Sequence, residues 1–286
     1  MKVLLNDEIM ERNKAKVDIE DRGYQFGDGV YEVVNIYDGV PFTLKEHIAR
    51  LYRSAKEIGI HLNEQPEQLC NRLLDLIKAN NMKKGGLYLQ ISRGVSNRSH
   101  QYDQTLTPQL VAYPLPYKSV QVAQTNGVEA ITAEDLRWLR CDIKSLNLLY
   151  NIMVKQKASE AGAFESILIR DGIVTEGSSS NIFIVKDGIL RTHPANNLIL
   201  NGITRTKLLE IMDANSWDYK IQPFNKEELM EADEVFLTST TSEVMPIIKI
   251  DGVTFSQAKP GLYTSKFQAA FREAVKSETK TTTEKA

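Results

Sequence analysis

The 286-residue sequence predicts an α+β protein in two domains. Asp-Gly pairs at 38–39, 171–172, 187–188 and 251–252 punctuate alternating apolar segments such as YEVVNIYDGVPFT and NIFIVKDGILRTH. Each marks a tight hairpin turn, because the turn needs positive φ at its centre, so much of the sheet is antiparallel. Helical periodicities alternate with these strands. A proline-marked stretch, YPLPYKS (113–119), separates two such mixed regions and reads as a linker. The expected organisation is a small N-terminal domain over 1–115, a linker over 116–121, and a larger C-terminal domain over 122–276. A tail follows over 277–286.

The opening MKVLLNDEIMERNK has an apolar core of only three residues, so it is a strand and no signal peptide. TLKEHIARLYRSAKEIG places Thr43 and Glu46 in capping-box spacing and ends at Gly59. Its Leu44, Ile48, Leu51, Ala55 and Ile58 form one apolar stripe. A second helix covers roughly 66–80, with Leu69, Leu73 and Leu76 on the same period. LYLQIS and QLVAY read as strands. Beyond the linker come the strand VEAIT, a helix within 146–162, the later hairpins, a helix from about 203, and a final helix near 262–276. The tail SETKTTTEKA has no apolar residue to pack except its last Ala and is expected to be disordered.

Composition excludes several function classes. A formal net charge of −2 makes no electrostatic case for nucleic acid or an anionic membrane. No run approaches the ~20 apolar residues of a membrane span. Cys70 and Cys141 make no disulfide framework, and with four scattered histidines they make no metal spacing. The chain reads as reduced, cytosolic and metal-free.

Chemistry concentrates in a few polar segments. RWLRCDIKSLNLL (137–149) sets Lys144 at the edge of an apolar run, with Trp138 nearby either walling a site or filling the core. TEGSSSN (175–181) places Glu176 beside three serines at a strand junction. LNGITR (200–205) offers Asn201 as an N-cap, then Ile203 and Thr204 at a helix start, where unpaired N–H groups favour a phosphate. LTSTTSE (237–243) ends a strand in hydroxyls. An ordinary cap or turn explains any one of these, and most lysines are surface charges. Together they suggest a phosphorylated cofactor with a charged far end. Pyridoxal phosphate has those needs: a lysine amine, a cup of N–H and O–H donors, and a carboxylate to keep its ring nitrogen protonated.

RGYQFGDGVYE (22–32), EHIARL (46–51), SRGVSNRSH (92–100), RWLRCDIKSLNLL, TEGSSSN, LNGITR and TSTTSE occur in order over nearly the whole chain. In this the sequence resembles the D-amino-acid transaminases, a group of the fold-type IV pyridoxal-phosphate enzymes, and RSH after SRG marks the narrower group. The resemblance implies a small N-terminal α+β domain and a larger C-terminal barrel-like domain. It implies that Lys144 holds the cofactor covalently and moves the proton at the substrate's Cα, and that Glu176 pairs with the ring nitrogen. Arg50, the backbone at Ile203 and Thr204, and Ser239 with Thr240 would hold the phosphate, with Ser178, Ser179 and Ser180 lining the cofactor's other side. Tyr31, Arg98 and His100 would bind the substrate carboxylate, the last two reaching from the second subunit of a homodimer. The implied reaction exchanges amino groups between D-amino acids and 2-oxo acids, as D-alanine with 2-oxoglutarate, in two half-reactions. Branched-chain L-amino-acid transaminases and aminodeoxychorismate lyases share the fold but lack the RSH mark. A non-catalytic cofactor-binding module would need neither Lys144 nor Glu176.

On the residues alone, Arg50 lies off the helix's apolar stripe, where a solvated position is the ordinary outcome. Arg98 and His100 are two apart in an extended loop, so both can project to one side. Tyr31 begins an alternating strand, where a core or edge aromatic is equally at home.

Overall fold

The computed structural model describes residues 1–283, and its α+β content divides into two compact units. The first comprises Met1–Lys118, Ile143–Asn147 and residues 277–283; the second comprises Ser119–Asp142 and Leu148–Lys276.

The first unit is built on β1 (Lys2–Leu5), β2 (Glu8–Glu11), β3 (Gly29–Tyr37), β4 (Val40–Pro41), β5 (Lys84–Ser92) and β6 (Gln109–Leu115). They pair throughout as antiparallel neighbours in the order β2-β1-β6-β5-β3-β4. Three helices accompany them: α1 (Arg22–Phe26), α2 (Leu44–Glu57) and α3 (Pro66–Ala79). The predicted stripe is the buried face of α2, where Ile48, Leu51 and Ala55 are fully enclosed. It packs with Leu69, Leu73 and Leu76 of α3 and with Val30, Val34 and Ile36 of β3 in one core. Ile143 belongs to that core too. The segment Ile143–Asn147 therefore departs from the expected domain boundaries, grouping with the first unit while its flanks group with the second. The cause is pairing: Lys144 accepts a backbone hydrogen bond from Tyr31 (3.0 Å) and Leu146 donates one to Gly29 (2.9 Å).

The second unit opens with α4 (Gln121–Asn126), whose first residue lies in the expected linker. There follow β7 (Val128–Glu134), α5 (Leu149–Glu160), β8 (Glu165–Arg170), β9 (Ile173–Gly177), β10 (Asn181–Lys186) and β11 (Ile189–Thr192). The chain continues through α6 (Ile203–Ala214), β12 (Tyr219–Ile221), α7 (Lys226–Met230), β13 (Glu234–Ser239), β14 (Glu243–Ile250), β15 (Val253–Thr254) and α8 (Leu262–Thr283). The sheet order is β12-β11-β10-β13-β14-β7-β8-β9, with β15 beside β14. β9 and β10 are consecutive in sequence yet lie five strand positions apart in that order. Laid flat, those positions would separate them by about 24 Å. The linking turn, Ser178–Ser180, spans at most about 14 Å between its flanking Cα atoms. The sheet must curl until its two strands meet, and β9 does contact β10. This is the barrel-like form the resemblance implies.

All four Asp-Gly pairs form hairpin turns, with aspartate φ of 48–50° and glycine φ of 77–87°. Two local expectations are corrected. Thr43 takes φ 52° and makes no side-chain cap, its hydroxyl donating to the Phe42 carbonyl at 2.7 Å, so the capping box with Glu46 does not form. The Thr43 N–H instead donates to Glu278 at 3.2 Å. That bond also explains the second departure. Residues 277–283, expected to be disordered, continue α8, and Thr279 is buried. The last three residues of the expected tail lie outside the described residues.

Candidate active site

In the first unit, β3 divides the polar residues between its two faces. Val30, Glu32, Val34 and Ile36 point to the core, and Tyr31 lies on the other side. Lys144 is half-buried, with Nζ 4.4 Å from the Tyr31 ring centre and 3.4 Å from its hydroxyl. A cation over an aromatic face is attracted to the ring while its N–H groups stay available. Tyr31 in turn stacks on Tyr88 at 5.9 Å between ring centres, and Tyr88 meets Tyr113 at 5.0 Å with the rings tilted by 37°.

On the core face, Arg50 is buried rather than solvated, because a carboxylate awaits it. Its Nε and Nη2 donate to Glu32 at 2.7 and 2.8 Å, and His47 Nδ1 lies 2.7 Å from the same carboxylate. Glu32 has no exposed surface. Burial alone would raise its pKa, but the Arg50 charge and the three hydrogen bonds outweigh that and hold it at about 2. Burial pushes His47 below its ordinary value. A neutral imidazole facing an ionised carboxylate must donate from Nδ1, which fixes its tautomer. Glu32 and His47 were missed in the sequence, although one acid on the apolar face of an alternating strand is a readable signal.

Arg98 and His100 are exposed and converge, as expected, but on Phe26. The Arg98 guanidinium is 4.5 Å from that ring's centre and the His100 ring meets it edge-on at 5.9 Å. Among the described residues, no hydrogen bond or ring contact joins either to Tyr31.

In the second unit, Glu176 is buried at the end of β9 and fixed from three sides. Arg137 donates to its Oε1, and Oε2 accepts from Asn181 Nδ2 at 3.1 Å and from the Leu200 N–H at 3.0 Å. Arg137 is itself gripped by Asp135 through two bonds of 2.9 Å. Burial would depress the Arg137 pKa, but Asp135 and the Glu176 charge raise it above its usual value. Asp135, opposed by burial, is held at about 2 chiefly by Arg137. Arg137 and Asn181 are the residues that sequence reasoning passed over, although both lie inside segments it quoted. Trp138 is 46% exposed, so it is not core.

Asn181 also donates to the Leu200 carbonyl at 2.8 Å and faces Thr238 of β13 across the sheet. It thereby ties Glu176 to the start of α6 and the end of β13, which pack together. The N-cap of α6 is Gly202 and not Asn201, whose side chain accepts instead from Arg205 and Thr206. A Cβ at Gly202 would lie 2.1 Å from Asn181 Oδ1, so only glycine fits. With no side chain capping the helix, the N–H groups of Ile203 and Thr204 remain available to an anion. Ser239 ends β13 and Thr240 follows in the turn, both half-buried, and the Ser239 hydroxyl accepts from the Ser242 N–H at 3.0 Å. The Thr238 hydroxyl is buried with no hydrogen-bond partner among the described residues.

The serine turn is less uniform than expected. Ser178 and Ser180 both donate their hydroxyls to the buried Glu165, so neither offers a free donor. Ser179 is exposed.

Residues 29–250 match the model of the family described as amino-transferase class IV. The chain belongs to the class IV aminotransferases. It is 57% identical over 279 residues to a D-alanine aminotransferase of Bacillus licheniformis, covering 98% of this chain and 99% of the relative. It is 49% identical over 278 residues to a D-alanine aminotransferase of Listeria innocua, covering 96% of each. Among solved structures, a branched-chain amino acid aminotransferase of Escherichia coli superposes with a TM-score of 0.90 at 26% identity, covering 95% of this chain and 93% of that one. A branched-chain aminotransferase of Thermoproteus uzoniensis gives 0.86 at 30% identity, with the same coverage. The two-domain α+β fold of this class IV aminotransferase is thus the one its sequence predicts.

Proposed function

We propose that this aminotransferase exchanges amino groups between D-amino acids and 2-oxo acids with pyridoxal 5′-phosphate, converting D-alanine and 2-oxoglutarate to pyruvate and D-glutamate. The observation that carries the reading is the 57% identity, over almost the full length of both chains, to a D-alanine aminotransferase. The donor set fits the cofactor: an amine on a tyrosine face, an anchored carboxylate, and an uncapped helix start beside hydroxyls.

Pyridoxal phosphate, when bound, supplies the electron sink that accepts the pair left at the substrate's Cα. The chain supplies everything else. The Lys144 amine would hold the cofactor covalently and, as a free base, would move the proton between the substrate's Cα and the cofactor's C4′. The Tyr31 hydroxyl and ring orient that amine. Glu176 keeps the ring nitrogen positive, and because Arg137, Asn181 and Leu200 hold it, the carboxylate need not reorganise as charge develops. The N–H groups of Ile203 and Thr204, with Ser239, Thr240 and Arg50, bind the phosphate. Ser179 and Ser180 line the cofactor's other side, Ser180 through its backbone.

Tyr31, Arg98 and His100 grip the substrate's α-carboxylate, the last two from the second subunit of a homodimer. With the carboxylate fixed, only one enantiomer can offer its Cα–H to Lys144 while its side chain fits. No helix among the described residues is long and apolar enough to cross a membrane. The likeness to branched-chain enzymes rests on 26–30% identity and speaks for the shared fold.

The deciding measurement is a side-by-side assay of D- and L-alanine with 2-oxoglutarate, reading the chirality of the glutamate formed. D-Glutamate from D-alanine alone is expected. L-Glutamate as the main product would overturn the reading.

A further inference from the structure

The loop carrying Arg98 and His100 is exposed, yet its backbone is tied to buried groups. Arg22, at the start of α1, is 3% exposed. Its Nη1 donates to the Ser99 carbonyl at 2.6 Å and its Nη2 to the His100 carbonyl at 3.3 Å. Its Nε donates to Asp28 at 2.9 Å, and Arg93 grips the same carboxylate with bonds of 2.8 and 2.9 Å. Burial pushes the Asp28 carboxyl up, but the hydrogen bonds and charges of Arg93 and Arg22 outweigh it and keep the group below its usual value. Tyr102 closes the cluster, with its ring centre 3.6 Å from the Arg93 guanidinium and 5.6 Å from that of Arg22. Arg22 also lies 4.8 Å from the Phe26 ring centre, the ring on which Arg98 and His100 converge.

We propose that Arg22 is a positioning residue for carboxylate recognition: clamped by Asp28 and covered by Tyr102, it fixes the 98–100 backbone so that Arg98 and His100 face the substrate. The inference rests on the reading of Arg98 and His100 as carboxylate ligands. Its physical basis is one guanidinium acting at two places. Five donors in a rigid fork let arginine bind a carboxylate with one edge and successive carbonyls with the other, which a single ammonium cannot do. An exposed loop without that clamp samples many arrangements, and the binding-competent one becomes a minor fraction. Apparent affinity falls by that fraction, while the rate from the bound state is unchanged.

The test is steady-state kinetics of the holoenzyme carrying Arg22→Met, which keeps the side chain's bulk and removes its donors. Michaelis constants for D-alanine and 2-oxoglutarate should rise about 10-fold with kcat within about twofold, as expected for a misplaced rather than a missing ligand. In an Arg98→Ala/His100→Ala background the same change should have no further effect on kcat/KM, since nothing is left to position. A KM rise that persists there would overturn the proposal. So would an unchanged KM accompanied by lower kcat and Tm, the pattern of a merely structural arginine. Should the Arg98→Ala/His100→Ala protein itself bind substrate normally, the carboxylate reading falls and this inference falls with it. If Arg22→Met does not fold, Tyr102→Leu at a half-exposed position should give the same KM rise and the same disappearance; a normal KM there would refute the clamp.

Discussion

Substituting Glu32 by glutamine should weaken the first unit sharply at neutral pH and hardly at all in acid. Glu32 has no exposed surface and accepts three hydrogen bonds, two from Arg50 and one from His47. Glutamine keeps the shape but presents an NH2 where one of those donors already points, and flipping the amide only changes which one is confronted. Breaking a buried pair by neutralising one partner costs about 3–5 kcal/mol. For a chain of this size that corresponds to a Tm lower by about 5–15 °C. The pH dependence supplies an independent figure. The folded pKa, about 2, is below the ordinary 4.5. Its stabilisation is therefore fully present above the ordinary value and lost as pH falls toward the folded one. The carboxylate contributes about 3 kcal/mol near pH 6 and about 1 kcal/mol near pH 3. Urea denaturation of both proteins across that range is the assay. A loss under about 1 kcal/mol at neutral pH, or a difference between the two proteins that stays constant on acidification, would refute the reasoning.

Lys144→Ala should fold normally and lose turnover by at least about 10²–10⁴-fold, the range for removing a general acid–base group, checked by activity beside circular dichroism. Mixing inactive Lys144→Ala subunits with Arg98→Ala subunits, assayed at low substrate where the latter turn over slowly, should raise the activity if Arg98 serves the second subunit; verified exchange without any gain would count against a shared site. Gly172→Ala should cost about 1 kcal/mol by denaturation, because φ is +80° there and no atom lies within 4 Å of the added Cβ.

The four Asp-Gly turns were legible because their requirement is local: positive φ at a fixed place in a hairpin. The stripe of α2 was legible for the same reason, its period being a property of the helix alone. What escaped the sequence depends on pairs distant in the chain. Arg50 reads as a solvated helix position until Glu32, on the core face of β3, is known to lie against it. Thr43 fails as a cap because its N–H is drawn to Glu278, far along the chain. Of the candidate site, the residue types and segments were visible. The braces were not: nothing in the spacing of Arg137, Asn181 and Glu176 says that they share hydrogen bonds.

The membership of Ile143–Asn147 in the first unit has a consequence for biosynthesis. A nascent chain that has emerged only as far as Lys118 carries six strands and three helices of that unit, but neither its Ile143 core residue nor the segment that pairs with β3. The unit stays unfinished until synthesis has passed through the start of the next one, and its contact with Glu278 waits for the end of the chain. A gene fragment cut at the apparent boundary would therefore express a hydrophobic sheet with an open seam. The Lys144 amine also arrives only after all six strands, so a ribosome-bound intermediate has no cation over the Tyr31 ring.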